Sequence, residues 1–294
     1  MPDRITVLSP AKLNLILRVL GRRPDGYHDL FMLNAAVDLY DTVHITRAAA
    51  GLAVTCDHPG VPSGPANLAA KAATAFFQAF PDSRTGLSIA IEKRVPVAGG
   101  LGGGSGNAAA VLWGLPRLLG MEVSEARLLE LAAGIGSDVP FFLYRSPAWA
   151  EGRGEVLSAA EGELPPVFVI VSFAFGLSTA EVFRGWDRLR KDLTIPVENS
   201  KVTNRKRHMP PPRDWVNDLE PVALLRHREI TKAKESLLGM GAQAALMSGS
   251  GPTVYGVFSD EAGALRARDA VSRDCGSPVH LGRPLRGAVL QQAS

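Results

Sequence analysis

The sequence predicts an α+β protein of two domains, residues 1–158 and 159–294. A strand pattern, a glycine-rich bend and a buried-helix pattern follow one another between residues 86 and 119. In the second half, strand and helix patterns alternate with tight antiparallel turns, as in a two-layer α+β domain. At 294 residues the chain is also long enough to enclose a core in each of two domains.

The bend is the most informative stretch. Six of the eight residues from Gly99 to Gly106 are glycine, interrupted only by Leu101 and Ser105. Ala108, Val111, Leu112, Leu115, Leu118 and Leu119 then recur at the spacing of a buried helix face. This order sets a helix N-terminus, with unpaired N–H groups and the positive end of its dipole, behind a loop with few β-carbons. An anion, most often a phosphate, is the natural guest. No Asp or Glu occurs from Val95 to Met121, so the segment does not neutralise its own helix start. A Walker A loop is excluded because no Lys follows the glycines, and a dinucleotide fingerprint fits only as Gly104-x-Gly106-x-x-Ala109. A ligand-free glycine turn is the competing reading. Six glycines, each losing backbone entropy on folding, speak against it.

Composition narrows the class. The chain is 46% hydrophobic and 21% charged, as in soluble globular proteins. Cys56 and Cys275 lie far apart without CxxC spacing, so neither a disulfide framework nor a metal site is expected. The start, MPDRITVLSPAKLN, has no apolar signal region, and no apolar run approaches the length of a membrane span. A cytoplasmic protein with no membrane partner is expected. The net charge of +3 is local: Arg190 to Asp214 carries seven Lys or Arg against three Asp or Glu. That stretch, rich in Pro and polar residues, reads as a surface loop and not as a nucleic-acid site.

Around the bend, other residues stand out in chain order. Leu13, Leu15, Leu17 and Val19 alternate with Lys12, Asn14, Ile16 and Arg18, a strand that projects Lys12 and Asn14 from one face. Local pattern leaves two roles open for that pair, solvent-facing or functional. Arg23-Pro24-Asp25-Gly26 is a turn, and Tyr27-His28 after it suit either a strand edge or a flat base. Asn67 and Ser124 are expected N-caps of helices over 66–80 and 124–133. Asp138, two residues before Pro140, reads equally as a helix cap and as a carboxylate presented beside a flexible loop. Residues 151–162 read as connecting structure. Beyond them come a strand from Val167, a helix from Thr179, one helix over 222–238, strands 244–247 and 254–258, a helix capped by Ser259 or Asp260, and a last strand near 287–290.

Four segments, SPAKLNL, GGLGGGSGNAA, GSDVPFF and SGSGPTVYG, together resemble the motifs of the GHMP small-molecule kinases. Lys12-Leu-Asn14, Asp25-Gly-Tyr27-His28, Ile91-Glu-Lys93-Arg94 and Val216-Asn-Asp-Leu-Glu-Pro221 narrow the resemblance to members acting on a cytidyl diphosphate of methylerythritol. The resemblance spans nearly the whole chain, in order. It implies a ribosomal S5 domain 2-like N-terminal domain, a ferredoxin-like C-terminal domain and an active site between them. It also implies ATP and Mg²⁺ as cofactors, a small-molecule cytidyl diphosphate as acceptor, and a monomer or weak homodimer.

Roles follow from the same resemblance. Lys12 and Asp138 would be catalytic, Asp138 taking a proton from the attacking hydroxyl. Asn67 and Lys93 would lie near the adenine or ribose. The phosphates would follow Pro96, Val97, Ala98, Gly99, Gly100, Leu101, Gly102, Gly103, Gly104, Ser105, Gly106 and Asn107, with Ser105 available to the metal. Tyr27 and His28 would hold the cytosine opposite Phe183, while Asn14 and Thr179 would hold the erythritol. Three departures stand out: Gly106 where a second Ser is usual, Asn34 where an aromatic is often found near the cytidine pocket, and the long 190–214 loop. The competing readings are a kinase for another alcohol, a sensor without turnover and a Rossmann dehydrogenase. Tyr27-His28, the retained Lys12 and Asp138, and the late position of the glycines speak against them in turn.

Overall fold

A computed structural model describes residues 2–193 and 208–293. The chain opens with a long hairpin, β1 (Arg4–Arg22) and β2 (His28–Ala48), then β3 (Leu52–Cys56), α1 (Leu68–Ala79) and β4 (Gly86–Glu92). Three helices follow, α2 (Gly103–Leu119), α3 (Glu125–Ile135) and α4 (Val139–Leu143), and then a hairpin of β5 (Ala148–Gly152) and β6 (Val156–Ala159). The second half comprises β7 (Val167–Val171), α5 (Thr179–Leu193), α6 (Glu220–Leu224), α7 (Arg228–Gly239), β8 (Ala244–Met247), β9 (Val254–Phe258), α8 (Glu261–Cys275) and β10 (Val279–Gly282). A short β11 (Gln291–Gln292) closes the chain.

Two sheets result. The first runs β11-β1-β2-β4-β3, with β5 and β6 branching from β2. The branch arises because β2 is long enough to serve two partners, β4 along Thr42–Ala48 and β5 along Leu30–Asn34. The second runs β10-β7-β9-β8, antiparallel throughout, which is the ferredoxin-like order. The apolar face of α2 packs with α1 and α3 against the first sheet, burying Ala108, Val111, Leu112, Leu115 and Leu118 as their spacing predicts. α7 and α8 cover the second sheet through Ile230, Ala233, Leu237, Ala264, Ala267 and Val271. A third cluster, with Leu13, Leu15, Leu33, Phe168, Ile170 and Tyr255, joins the two sheets.

Several expectations are corrected. The helix over 222–238 is two helices, because the junction Leu225-Arg226-His227 has no buried apolar residue to hold it straight and His227 turns extended. Residues 151–162 include the β5–β6 hairpin. The last strand pairs through Gln291 and Gln292 with Leu8 and Val7, just past 287–290, and β10 was not foreseen. Of the expected surface loop 190–214, residues 194–207 lie outside the described residues. Its end is not a free loop: Met209 is buried, its N–H donates to Glu161 O at 2.8 Å, and the buried Trp215 beyond it donates to Pro210 O at 2.8 Å.

Candidate active site

The site grows from a register shift in β1. Pairing with β2 slips between Pro10 and Ala11, and Lys12 and Asn14 follow at once. Neither faces solvent. The glycine loop lies over this part of β1, with Lys12 N donating to Leu101 O at 2.9 Å, and the Lys12 side chain is only 4% exposed. A buried ammonium needs acidic or polar partners. Lys12 Nζ has two: Asn14 Oδ1 at 2.5 Å and Asp138 Oδ2 at 3.4 Å. Asn14 is itself held by donating to Asn34 Oδ1 at 2.7 Å.

Asp138 resolves into one of its two readings. It precedes α4, yet its side chain makes no capping bond, and at 33% exposed it reaches the cleft beside Lys12. By contrast Asn67 and Ser124 do cap, accepting from Ala69 N and Arg127 N.

Lys12, Asn14, Asp138, Tyr27, His28, Thr179, Phe183 and Ser105 all line one cleft of about 810 Å³ between the two halves of the chain. At its far end His28 Nε2 lies 2.9 Å from Asp187 Oδ1, and its ring stacks on Phe183 at 4.7 Å between centroids. That spacing leaves no room for a base between His28 and Phe183. Tyr27 is 56% exposed, and the Arg153 guanidinium lies over its ring, 5.2 Å from the centroid. The Tyr27 turn is held by Asp25, whose Oδ1 accepts from Tyr27 N at 3.1 Å, a bond that keeps the Asp25 carboxyl below its ordinary value. Thr179 Oγ1 sits 2.9 Å from Ser250 Oγ of the β8–β9 turn.

The glycine loop divides by face. Ala98, Gly100, Gly102 and Ser105 line the cleft. Gly99, Leu101, Gly103, Gly106 and Asn107 turn inward and are buried. Glycines on both faces answer to close packing. A β-carbon at Gly99 would lie 2.6 Å from Thr253 Oγ1, and one at Gly100 would enter the Ser248 carbonyl. Ser248 Oγ in turn donates to Gly100 O at 3.0 Å, tying the loop to the β8–β9 turn. Gly100 and Gly102 take left-handed backbones, and so does Ala98 at φ 54°, a conformation that strains a residue with a β-carbon by about 1–2 kcal/mol.

Asn67, Lys93, Pro96, Val97 and the exposed Gly104, also expected at the nucleotide, do not line the cleft either. Asn67 has both amide atoms committed, to Ala69 N and to Pro62 O, while Pro96 and Val97 sit on the loop's shoulder. The Lys93 ammonium is buried against Asp41 Oδ2 at 2.7 Å and the Val95 carbonyl, so its side chain is unavailable to an adenine. Asn34 is buried as Asn14's acceptor and does not line the cleft, and a β-carbon at Gly106 would lie 2.6 Å from Ser9 Oγ. Sequence reading missed Asp41, Asp187 and Arg153, and it named Asn217 only within the Val216–Pro221 motif. Asn217 donates to Met247 O and Gly249 O at 2.7 and 2.8 Å, so it holds the turn that meets the glycine loop.

The family descriptions GHMP kinases N terminal domain and GHMP kinases C terminal match residues 67–146 and 212–277. A 4-diphosphocytidyl-2-C-methyl-D-erythritol kinase of Syntrophotalea carbinolica is 45% identical over 273 residues, covering 92% of this chain and 95% of that protein. The chain belongs to this kinase family. A crystal structure of a 4-(cytidine 5'-diphospho)-2C-methyl-D-erythritol kinase superposes with a TM-score of 0.75 at 34% identity, covering 95% of this chain and 99% of the other. A homoserine kinase from Cytophaga hutchinsonii gives the same TM-score, 0.75, at 16% identity over 100% and 98% of the two chains. That second likeness shows the shared GHMP kinase fold alone. As a GHMP kinase this protein uses ATP, and the cleft that holds Lys12 and Asp138 is also the one its glycine loop borders. Among the described residues no helix is long and apolar enough to cross a membrane.

Proposed function

We propose that the protein transfers the γ-phosphoryl group of ATP to the 2-hydroxyl of 4-diphosphocytidyl-2-C-methyl-D-erythritol, giving the 2-phosphate and ADP, in non-mevalonate isoprenoid precursor synthesis. One observation carries the reading: buried Lys12, paired with the partly exposed Asp138, borders a glycine loop at one end of a cleft whose other end offers Tyr27 and His28. Relatives at 45% and 44% identity carry the name of that enzyme.

Phosphoryl transfer asks the protein mainly for positioning and charge stabilisation. Asp138 accepts the proton of the acceptor hydroxyl as that oxygen bonds to the γ-phosphorus and the bond to the ADP oxygen breaks. General-base help of this kind contributes about 10²–10⁴-fold. Lys12, locked by Asn14, faces the negative charge of the transferring group. The cleft-facing backbone from Ala98 to Ser105 and the start of α2 hold the ADP phosphates. Tyr27 and Phe183 hold the cytosine, His28 reads its edge with its ring set by Asp187, and Asn14 and Thr179 bound the erythritol.

Magnesium belongs to the same reading. No cluster of three or more His, Cys, Asp or Glu exists among the described residues. A Mg²⁺ ion held largely by phosphates and water needs only one or two protein oxygens, which Ser105 on the cleft wall fits. When bound there, the ion neutralises phosphate charge. We further assign the catalytic lobes to residues 1–158 and 159–294, the location to the cytoplasm, and the assembly to a monomer or weak homodimer.

An ADP-release assay on four acceptors tests the reading. 4-Diphosphocytidyl-2-C-methyl-D-erythritol should turn over, with methylerythritol phosphate, homoserine and mevalonate each at least 10²-fold lower in kcat/KM. Comparable turnover of homoserine or mevalonate would overturn it.

A further inference from the structure

Asp41 is the most completely bonded carboxylate near the site, and phosphoryl transfer as described makes no use of it. It is fully buried in β2, opposite Ser9 of β1. Its Oδ1 accepts from the backbone N–H groups of Arg94 and Val95, both at 2.8 Å. Its Oδ2 accepts from Lys93 Nζ at 2.7 Å and from Asn107 Nδ2 at 3.1 Å. These donors sit at the two ends of the glycine loop, where it leaves β4 and where it enters α2. The Lys93 ammonium lies under the first residue of that helix, since a β-carbon at Gly103 would be 2.8 Å from Nζ. One carboxylate thus sets the span of the loop and fixes a cation beneath its helix start, a cation too buried and too well bonded to touch a phosphate itself.

We propose that Asp41 is a positioning residue for the nucleotide, pinning both ends of the glycine loop and anchoring Lys93 as a fixed positive charge under it. The inference rests on the reading that ATP phosphates lie along that loop. Asp41→Asn keeps the size of the side chain but replaces one acceptor with a donor facing Lys93 or Asn107, and it leaves the buried ammonium without its counter-charge.

Titration and kinetics of Asp41→Asn should show ADP binding weakened tenfold or more and KM for ATP raised in step. KM for the cytidyl acceptor should stay within twofold and kcat at saturating ATP within threefold. A brace serving the fold alone would not separate the two substrates. An ADP affinity within twofold of wild type, or equal losses for ADP and acceptor in a folded protein, would overturn the proposal. If Asp41→Asn does not fold, Asn107→Ala decides: it removes only the bond at the α2 end, so ADP binding should weaken threefold or more with acceptor KM unchanged, and unchanged ADP binding overturns the role. Wild-type ADP binding that leaves amide exchange across residues 97–106 unaltered would instead defeat the reading of the loop as the phosphate site.

Discussion

Asp138 stands at the start of α4 without capping it, and that single fact separates it from Asn67 and Ser124. A carboxylate next to a helix start ordinarily accepts from the first-turn N–H groups. Here it is turned toward Lys12, whose own orientation is set by Asn14 and, through Asn14, by Asn34. The same residue-by-residue reading bears on Gly106. A side chain there points into Ser9 Oγ and the Pro10 carbonyl, 2.6 and 3.2 Å away, so a hydroxyl at this position meets protein and not nucleotide. Gly106→Ser should therefore leave KM for ATP lower by no more than twofold and should destabilise the fold by about 1–3 kcal/mol, the usual range for overpacking. Thermal denaturation and ATP kinetics on the one variant check both halves.

At the scale of elements, the glycine loop is where two assemblies meet. It crosses over β1, which supplies Lys12, and it docks on the β8–β9 turn through Ser248 and Thr253. This explains which parts were legible in the sequence. The strand, bend and helix around Gly99 to Gly106 were visible because their pattern is local, and of the expected buried face of α2 all but Leu119, which is only partly covered, are buried. Lys12 and Asp138 stayed ambiguous by local pattern, since a solvent lysine and a helix cap show the same neighbours, and only their meeting across 126 positions of chain distinguishes them. Asp41 was invisible for the same reason: its donors all lie between residues 93 and 107, far along the chain. The end of the basic stretch also escaped composition, because its polar character conceals Met209 and Trp215, both buried. Met209→Ala should lose about 2–5 kcal/mol of stability, as for removal of a buried Met side chain. Denaturant unfolding measures the loss.

Across the whole molecule, the cleft exists because the two sheets are joined and not merely tethered. Leu17 N donates to Val216 O at 2.8 Å and Asp218 N to Leu17 O at 2.9 Å, so the 216–218 segment runs alongside β1. Tyr255, on β9, donates to Asn14 O at 2.9 Å, and burial holds its phenol well above its ordinary pKa, so it stays a donor at neutral pH. The strand that carries Lys12 and Asn14 is thus shared by both halves, while Thr179 and Phe183 approach from α5. In the function proposed above, phosphoryl transfer turns on one carboxylate, that of Asp138. The most direct measurement is steady-state turnover of Asp138→Asn alongside its ADP affinity. A proton-accepting role predicts kcat lower by about 10²–10⁴-fold, with ADP bound as in the wild type; turnover within threefold of wild type would contradict it.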